Sequence, residues 1–62
     1  MAKTYIARYD NNSQQKTLMI HQVGGNKLEL EIHSRTNADK FMSIELDEKK
    51  VNELIHTLQD WL

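Results

Sequence analysis

Three histidines are the residues of this sequence best suited to chemistry, because an imidazole can ligate a metal ion or carry a proton near neutral pH. His21 and His33 stand in segments predicted to form neighbouring strands, and His56 stands in a predicted helix. With His21 opposite Glu29, a rise of ~3.3 Å per residue puts the two strand histidines roughly 13 Å apart. One ion cannot reach both rings, since each ligand must come within about 2 Å of it. We therefore predict no metal site.

The hydroxyl and carboxyl groups form no catalytic pattern either. Ser13, Ser34 and Ser43 are the candidate nucleophiles, and none stands in the G-x-S-x-G turn that exposes a catalytic serine. Glu29 and Glu45 are predicted to face each other across two strands, but paired carboxylates need enclosure for acid–base work. A small sheet with one helix offers little concave volume for a substrate. We predict no catalytic residues, no cofactor and no enzymatic activity.

Composition narrows the remaining function classes. The 62 residues predict one small domain, residues 1–62, which can bury only about 60% of its unfolded surface. The net charge of −1 argues against a nucleic-acid binder with a basic face. Cysteine is absent, so no disulfide or thiolate cluster supports so small a core. The polar N-terminal segment and the lack of any run of ~20 apolar residues lead us to expect a cytoplasmic protein with no membrane contact.

The clearest predicted element is a C-terminal helix. At ~100° per residue, six apolar side chains fall within an arc of about 120°: Val51, Leu54, Ile55, Leu58, Trp61 and Leu62. Asp47 is suited to cap the helix and Glu48 to its positive end, so the helix is predicted to begin close to residue 48. We expect the stripe to lie on a sheet and to bury Trp61 at its edge, against the rim of the sheet or against a second copy of the chain.

Upstream of the helix, alternating apolar and polar residues predict strands. The segments "NKLELEIHSR" and "FMSIEL" alternate strictly, whereas "KTLMIHQV" and "TYIARY" carry apolar groups on both faces. The fold class is therefore α+β: a four-stranded antiparallel β-meander with one C-terminal amphipathic α-helix packed on one face, in the order ββββα.

The turns predict the register of the meander. A three-residue hairpin loop at Gly24 to Asn26, with Gly25 or Asn26 in the left-handed conformation, brings apolar side chains together across the strands. The predicted pairs are Leu18 with Ile32, Ile20 with Leu30, Ile32 with Met42, Leu30 with Ile44, Tyr5 with Ile20, and Ala7 with Leu18.

One helix covers only one face of a sheet, so the other face is expected to be exposed. That face carries apolar groups among its polar ones, and Phe41 stands out as a large aromatic opposite His33. We predict that it binds a partner. The predicted partner-binding residues are Ile6, Arg8, Met19, His21, His33, Arg35 and Phe41, and Trp61 is a predicted dimer contact.

The resulting hypothesis is a small non-catalytic protein-interaction module, an adaptor or inhibitor that occupies the surface of a protein of unknown identity. Stand-alone proteins of this size are frequent among bacteriophage and mobile-element products, an argument by analogy. The thin core and Trp61 also lead us to expect a homodimer.

A second hypothesis is single-stranded nucleic-acid binding. The strand "FMSIEL" passes through Asp47 and Glu48 directly into a helix, and over residues 41–58 this order resembles the positive-cofactor-four type of coactivator. That resemblance implies a dimer that binds single-stranded DNA on curved sheets. The chain lacks the lysine-rich sheet of that family, and Phe41 is its one clear stacking aromatic unless a change of register turns Tyr5 and Tyr9 outward.

Overall fold

The computed structural model describes residues 3–37 and 39–62 and contains four strands followed by one helix. The strands are β1 (Thr4–Asn11), β2 (Lys16–Val23), β3 (Lys27–Ser34) and β4 (Phe41–Leu46), and the helix α1 is Glu48–Trp61. The strands form a single antiparallel sheet in the order β1-β2-β3-β4. The predicted ββββα order is confirmed.

The register of the three later strands is also confirmed. Leu18 pairs with Ile32 and Ile20 with Leu30 across β2 and β3, and β4 continues the pattern with Met42 opposite Ile32. The loop between β2 and β3 has three residues, and both Gly25 (φ 77°) and Asn26 (φ 58°) adopt the left-handed conformation. A loop of this length sets apolar residues of the two strands opposite each other.

The predicted register of β1 is wrong. A bulge between Tyr5 and Ala7 shifts the pairing at the start of β1, so that Tyr5 pairs with His21 rather than with Ile20. Ala7 pairs with Ile20 rather than with Leu18, because the turn into β2 lies one residue further along the chain than expected. The side chain of Asn11 holds it there by accepting a hydrogen bond from the Gln14 amide at 3.1 Å.

The helix begins where the sequence predicts. Asp47 is the N-cap, and its side chain accepts a hydrogen bond from the Lys50 amide at 2.9 Å. Glu48 lies in the first turn, where its negative charge is favourable. Within the described part of the chain, no helix combines the length and the apolar character required to cross a bilayer.

The helix contacts only β3 and β4 among the described strands, and none of its residues is buried. Trp61 is 80% exposed and Leu62 is 94% exposed, so the expected burial of the terminal residues is wrong for a single chain. The reason is geometric. Asp47 alone separates β4 from α1, so the chain has no loop in which to turn the helix back over the sheet.

Candidate interaction surfaces

The sheet has two unlike faces. We call the first the apolar face; its apolar residues are Ala7, Tyr9, Leu18, Ile20, Leu28, Leu30, Ile32, Met42, Ile44 and Leu46, with the polar Thr4, Asn11, Lys16, Gln22 and Ser34 at its two ends. We call the second the polar face; its residues are Tyr5, Arg8, Asp10, Thr17, Met19, His21, Val23, Lys27, Glu29, Glu31, His33, Phe41, Ser43 and Glu45. The cross-strand pairs assign these faces, because residues directly opposite each other in a sheet point to the same side.

The apolar face lies open to solvent. Met42 is 78% exposed, and Tyr9, Ile32 and Ile44 are each exposed by half or more. Tyr9, Leu18, Ile32 and Met42 line an open groove towards the end of the sheet that carries the β1–β2 turn. Contiguous exposed apolar patches are uncommon on monomeric proteins, which makes this face a candidate interaction surface.

The apolar side of α1 is uncovered as well, and its exposure grows along the helix. Val51 is half-buried, Leu58 is 50% exposed, Trp61 is 80% exposed, and Leu62, just after the helix, is 94% exposed. The chain therefore presents two apolar surfaces, one on the sheet and one on the helix, and covers neither.

The polar face is better packed than the apolar face, because it is tied together around Glu31. This residue is only 6% exposed, while no apolar side chain among the described residues is buried. Its carboxylate accepts a hydrogen bond from Lys3 Nζ at 2.9 Å and lies 2.9 Å from His33 Nε2. Lys3 Nζ also lies 2.6 Å from the Glu29 carboxylate, so one ammonium joins two acids.

These contacts stabilise the charged form of Glu31. The hydrogen bond with His33 is the largest cause, followed by the bond from Lys3, and together they lower the pKa of Glu31 from 4.5 to about 2. The pKa of the Lys3 ammonium is raised by its hydrogen bonds to two carboxylates, chiefly that of Glu29 and then that of Glu31.

The lowered pKa of Glu31 predicts an acid-sensitive contribution to stability. A carboxyl whose pKa is lower in the folded state stabilises the fold above pH 4.5 and loses that contribution as the pH falls towards about 2. Replacing Glu31 with glutamine is expected to lower the free energy of unfolding at pH 7 by about 1–3 kcal/mol and to flatten its decline in acid. Urea unfolding at a fixed chain concentration, at pH 7 and pH 3, measures both effects. Glu45→Gln, at an exposed position of the same face, is the matched control, and equal profiles for the two variants would contradict the assignment.

The two strand histidines lie much closer together than the sequence suggested. His33 Nε2 is 2.9 Å from Glu31 Oε1 and His21 Nδ1 is 3.9 Å from the same oxygen, so the separation of roughly 13 Å was wrong. Spacing along a strand describes Cα positions. Both histidine side chains instead lean towards the buried carboxylate between them.

Aromatic rings flank this ionic cluster. Phe41 stacks on His33 with ring centroids 5.0 Å apart and an interplanar angle of 10°. Tyr5, which the bulge in β1 turns onto the polar face, meets His21 edge-on with centroids 6.1 Å apart. Sequence reasoning placed Tyr5 on the opposite face. In the sequence, one signal indicated that the register of β1 was undetermined: "TYIARY" carries apolar groups on both faces.

The other predicted partner-binding residues are spread around the polar face. Met19 lies half-buried on β2, and Arg8 lies opposite it on β1, where it pairs with Asp10 at 3.2 Å. Ile6 lies at the bulge and is 50% exposed. Arg35 follows the end of β3 and bonds to the side chain of Asn12 in the β1–β2 turn. The structure therefore groups His21, His33, Phe41 and Met19 on one face, and it leaves Ile6, Arg35 and Trp61 at its margins or away from it.

Comparison of the chain with family models, with curated protein sequences and with solved structures finds no match.

Proposed function

We propose that this chain is a small non-catalytic protein-interaction module that works as a homodimer. The observation that carries the proposal is the absence of any buried apolar side chain among residues 3–37 and 39–62. Ordering a chain costs roughly 1–2 kcal/mol per residue in backbone entropy, and apolar burial must offset that cost. A single chain in this conformation lacks that burial, so a partner must supply it.

The exposed area has the size that a dimer removes. A compact protein of 7.3 kDa has an accessible surface of about 4200 Å². This chain has 5240 Å², an excess of about 1000 Å². Stable interfaces bury about 800 Å² on each partner, and permanent dimers bury more.

A second copy fits both open surfaces. In each chain the apolar face of the sheet and the apolar stripe of α1 are both exposed. In a dimer with a twofold axis, the helix of each chain can cover the sheet of the other, so both surfaces are buried at once. In this arrangement the stripe of α1 covers the apolar face of the partner, where the groove beside Tyr9 and Met42 receives large side chains.

The polar faces of such a dimer remain free. Phe41, exposed by 55%, and the exposed side chain of Arg8 provide an aromatic and a cationic contact of the kind found in protein interfaces. We propose that these residues bind another protein, as an adaptor or an inhibitor of phage or mobile-element type would. We place this activity in the cytoplasm, since a chain without cysteine suits a reducing compartment.

Affinity capture tests the role of the polar face. Tagged wild-type chain and a Phe41→Asp variant are compared, with Gln14→Asp as a control that adds the same charge at an exposed turn residue. We expect a protein that the wild type and Gln14→Asp retain and Phe41→Asp loses. Retention of the same proteins by all three chains would contradict binding through Phe41.

Single-stranded nucleic-acid binding is the second candidate, and the outward position of Tyr5 favours it. Tyr5 and Phe41 both lie on the polar face, where Lys3 binds the Glu29 and Glu31 carboxylates, and single-strand binders combine stacking aromatics with cations. The neighbouring carboxylates oppose a phosphate backbone. Fluorescence anisotropy of a labelled oligonucleotide at low and at physiological salt decides between the two: micromolar binding that weakens steeply with salt supports this candidate, and no binding at low salt removes it.

A further inference from the structure

Two histidines and two glutamates come together at the centre of the polar face. Glu29, Glu31 and His33 share this face because strand residues alternate, and His21 pairs with Glu29 across β2 and β3. Ligand atoms of His21, Glu29 and Glu31 all lie within 4.8 Å of one another. The fourth group, His33 Nε2, is 2.9 Å from Glu31 Oε1.

One nitrogen in this cluster has no partner. His21 Nδ1 is shielded from solvent and makes no hydrogen bond, although Glu31 Oε1 lies 3.9 Å away. The great majority of buried polar atoms are hydrogen-bonded. A shielded imidazole nitrogen that faces two carboxylates is therefore placed as a metal ligand would be.

The position between the carboxylates already holds a positive charge. Lys3 Nζ lies 2.6 Å from Glu29 and 2.9 Å from Glu31. The Lys3 side chain is 47% exposed and flexible, so it can withdraw into solvent when another cation takes its place. Both carboxylates would then be free to ligate.

We propose that His21, Glu29, Glu31 and His33 bind a divalent transition-metal ion, with Zn²⁺ as the best match, in competition with Lys3. Imidazole nitrogen and carboxylate oxygen without sulfur are ligands that Zn²⁺ accepts at about 2.0–2.2 Å in a tetrahedral arrangement. Ion binding therefore requires the side chains of His21, Glu29 and Glu31, whose ligand atoms now lie within 4.8 Å of one another, to rotate closer together. The ion joins β2 to β3 and stabilises the folded state, because it binds a site that the unfolded chain lacks. This site lies on the opposite side of the sheet from the apolar face, so the proposed dimer leaves it open to solvent.

Isothermal titration calorimetry with ZnCl₂ tests the site. We expect saturable binding of one ion per chain by the wild type, and His21→Ala is expected to weaken it at least about tenfold, since even outer-shell changes cost 10–100-fold. The control is His56→Ala, which removes the helical histidine and is expected to leave the affinity unchanged. Lys3→Ala is expected to bind Zn²⁺ more tightly than the wild type, because the competing ammonium is gone.

The outcomes separate this site from adventitious binding by surface histidines. Absence of heat at millimolar Zn²⁺, or equal losses from His21→Ala and His56→Ala, would overturn the proposal. If Lys3→Ala binds Zn²⁺ more weakly than the wild type, the proposed competition between the Lys3 ammonium and the metal ion is wrong. If His21→Ala does not fold, as judged by circular dichroism, NMR of the wild-type histidine rings decides: selective Zn²⁺-induced shifts at His21 and His33 support the site, and a shift at His56 alone refutes it.

Discussion

Replacing Leu58 with aspartate is expected to leave the chain without a stable fold. Leu58 is half exposed in the single chain, but in the proposed dimer it lies at the centre of the helical stripe that covers the partner sheet. Placing an unpaired charge in such an interface removes apolar burial and adds a desolvation cost, so we expect a loss of more than about 4 kcal/mol. Circular dichroism at micromolar chain concentration measures the loss of folded structure.

The matched control for this change is Gln59→Asp. Gln59 is the next residue of the same helix, is exposed, and lies outside the apolar stripe. It therefore receives the same charge at almost the same distance from the helix end, and we expect it to fold and associate like the wild type. If Leu58→Asp behaves like Gln59→Asp, the helical stripe is not part of an interface.

Replacing Trp61 with alanine is expected to weaken the folded dimer by about 3 kcal/mol or more. A large aromatic removed from a packed site typically costs 3–5 kcal/mol. If the protein is a monomer, we expect Trp61→Ala to have almost no effect. Trp61 is 80% exposed in the single chain, and surface substitutions usually change stability by less than about 0.5 kcal/mol. Denaturant unfolding of wild type and variant at equal chain concentration measures the difference.

The two expectations for Trp61 lie far enough apart for one experiment to separate them. Trp61 is also the only tryptophan, so its fluorescence reports directly on its surroundings. We expect a blue-shifted emission at high chain concentration that moves to the red on dilution. An emission typical of water at every concentration, together with a small change in stability, would mean that no copy covers Trp61.

Local patterns in the sequence predicted the part of the fold that local chemistry determines. Strict alternation in β3 and β4 identified the apolar face, and the left-handed residues Gly25 and Asn26 fixed the loop that sets Leu18 against Ile32. The cap at Asp47 likewise follows from side-chain chemistry within one helical turn. In each case the residues that decide the structure are near neighbours in the sequence.

The features that sequence reasoning missed depend on contacts between distant residues. The bulge in β1 places Tyr5 beside His21, and neither residue type signals the extra residue. The approach of His21 and His33 depends on where long side chains lean around the buried Glu31, which Cα spacing does not describe. The uncovered helix is the exception, because it follows from the local junction at Asp47, whereas the apolar stripe alone indicates only that something must cover it.

Sedimentation equilibrium over a range of chain concentrations tests the central claim, that this chain folds by pairing with a second copy. The account predicts a folded species of twice the 7.3 kDa chain mass at high concentration, with loss of helix and sheet signal as dilution separates the chains. A species of 7.3 kDa that keeps its full circular dichroism signal at every concentration would contradict it.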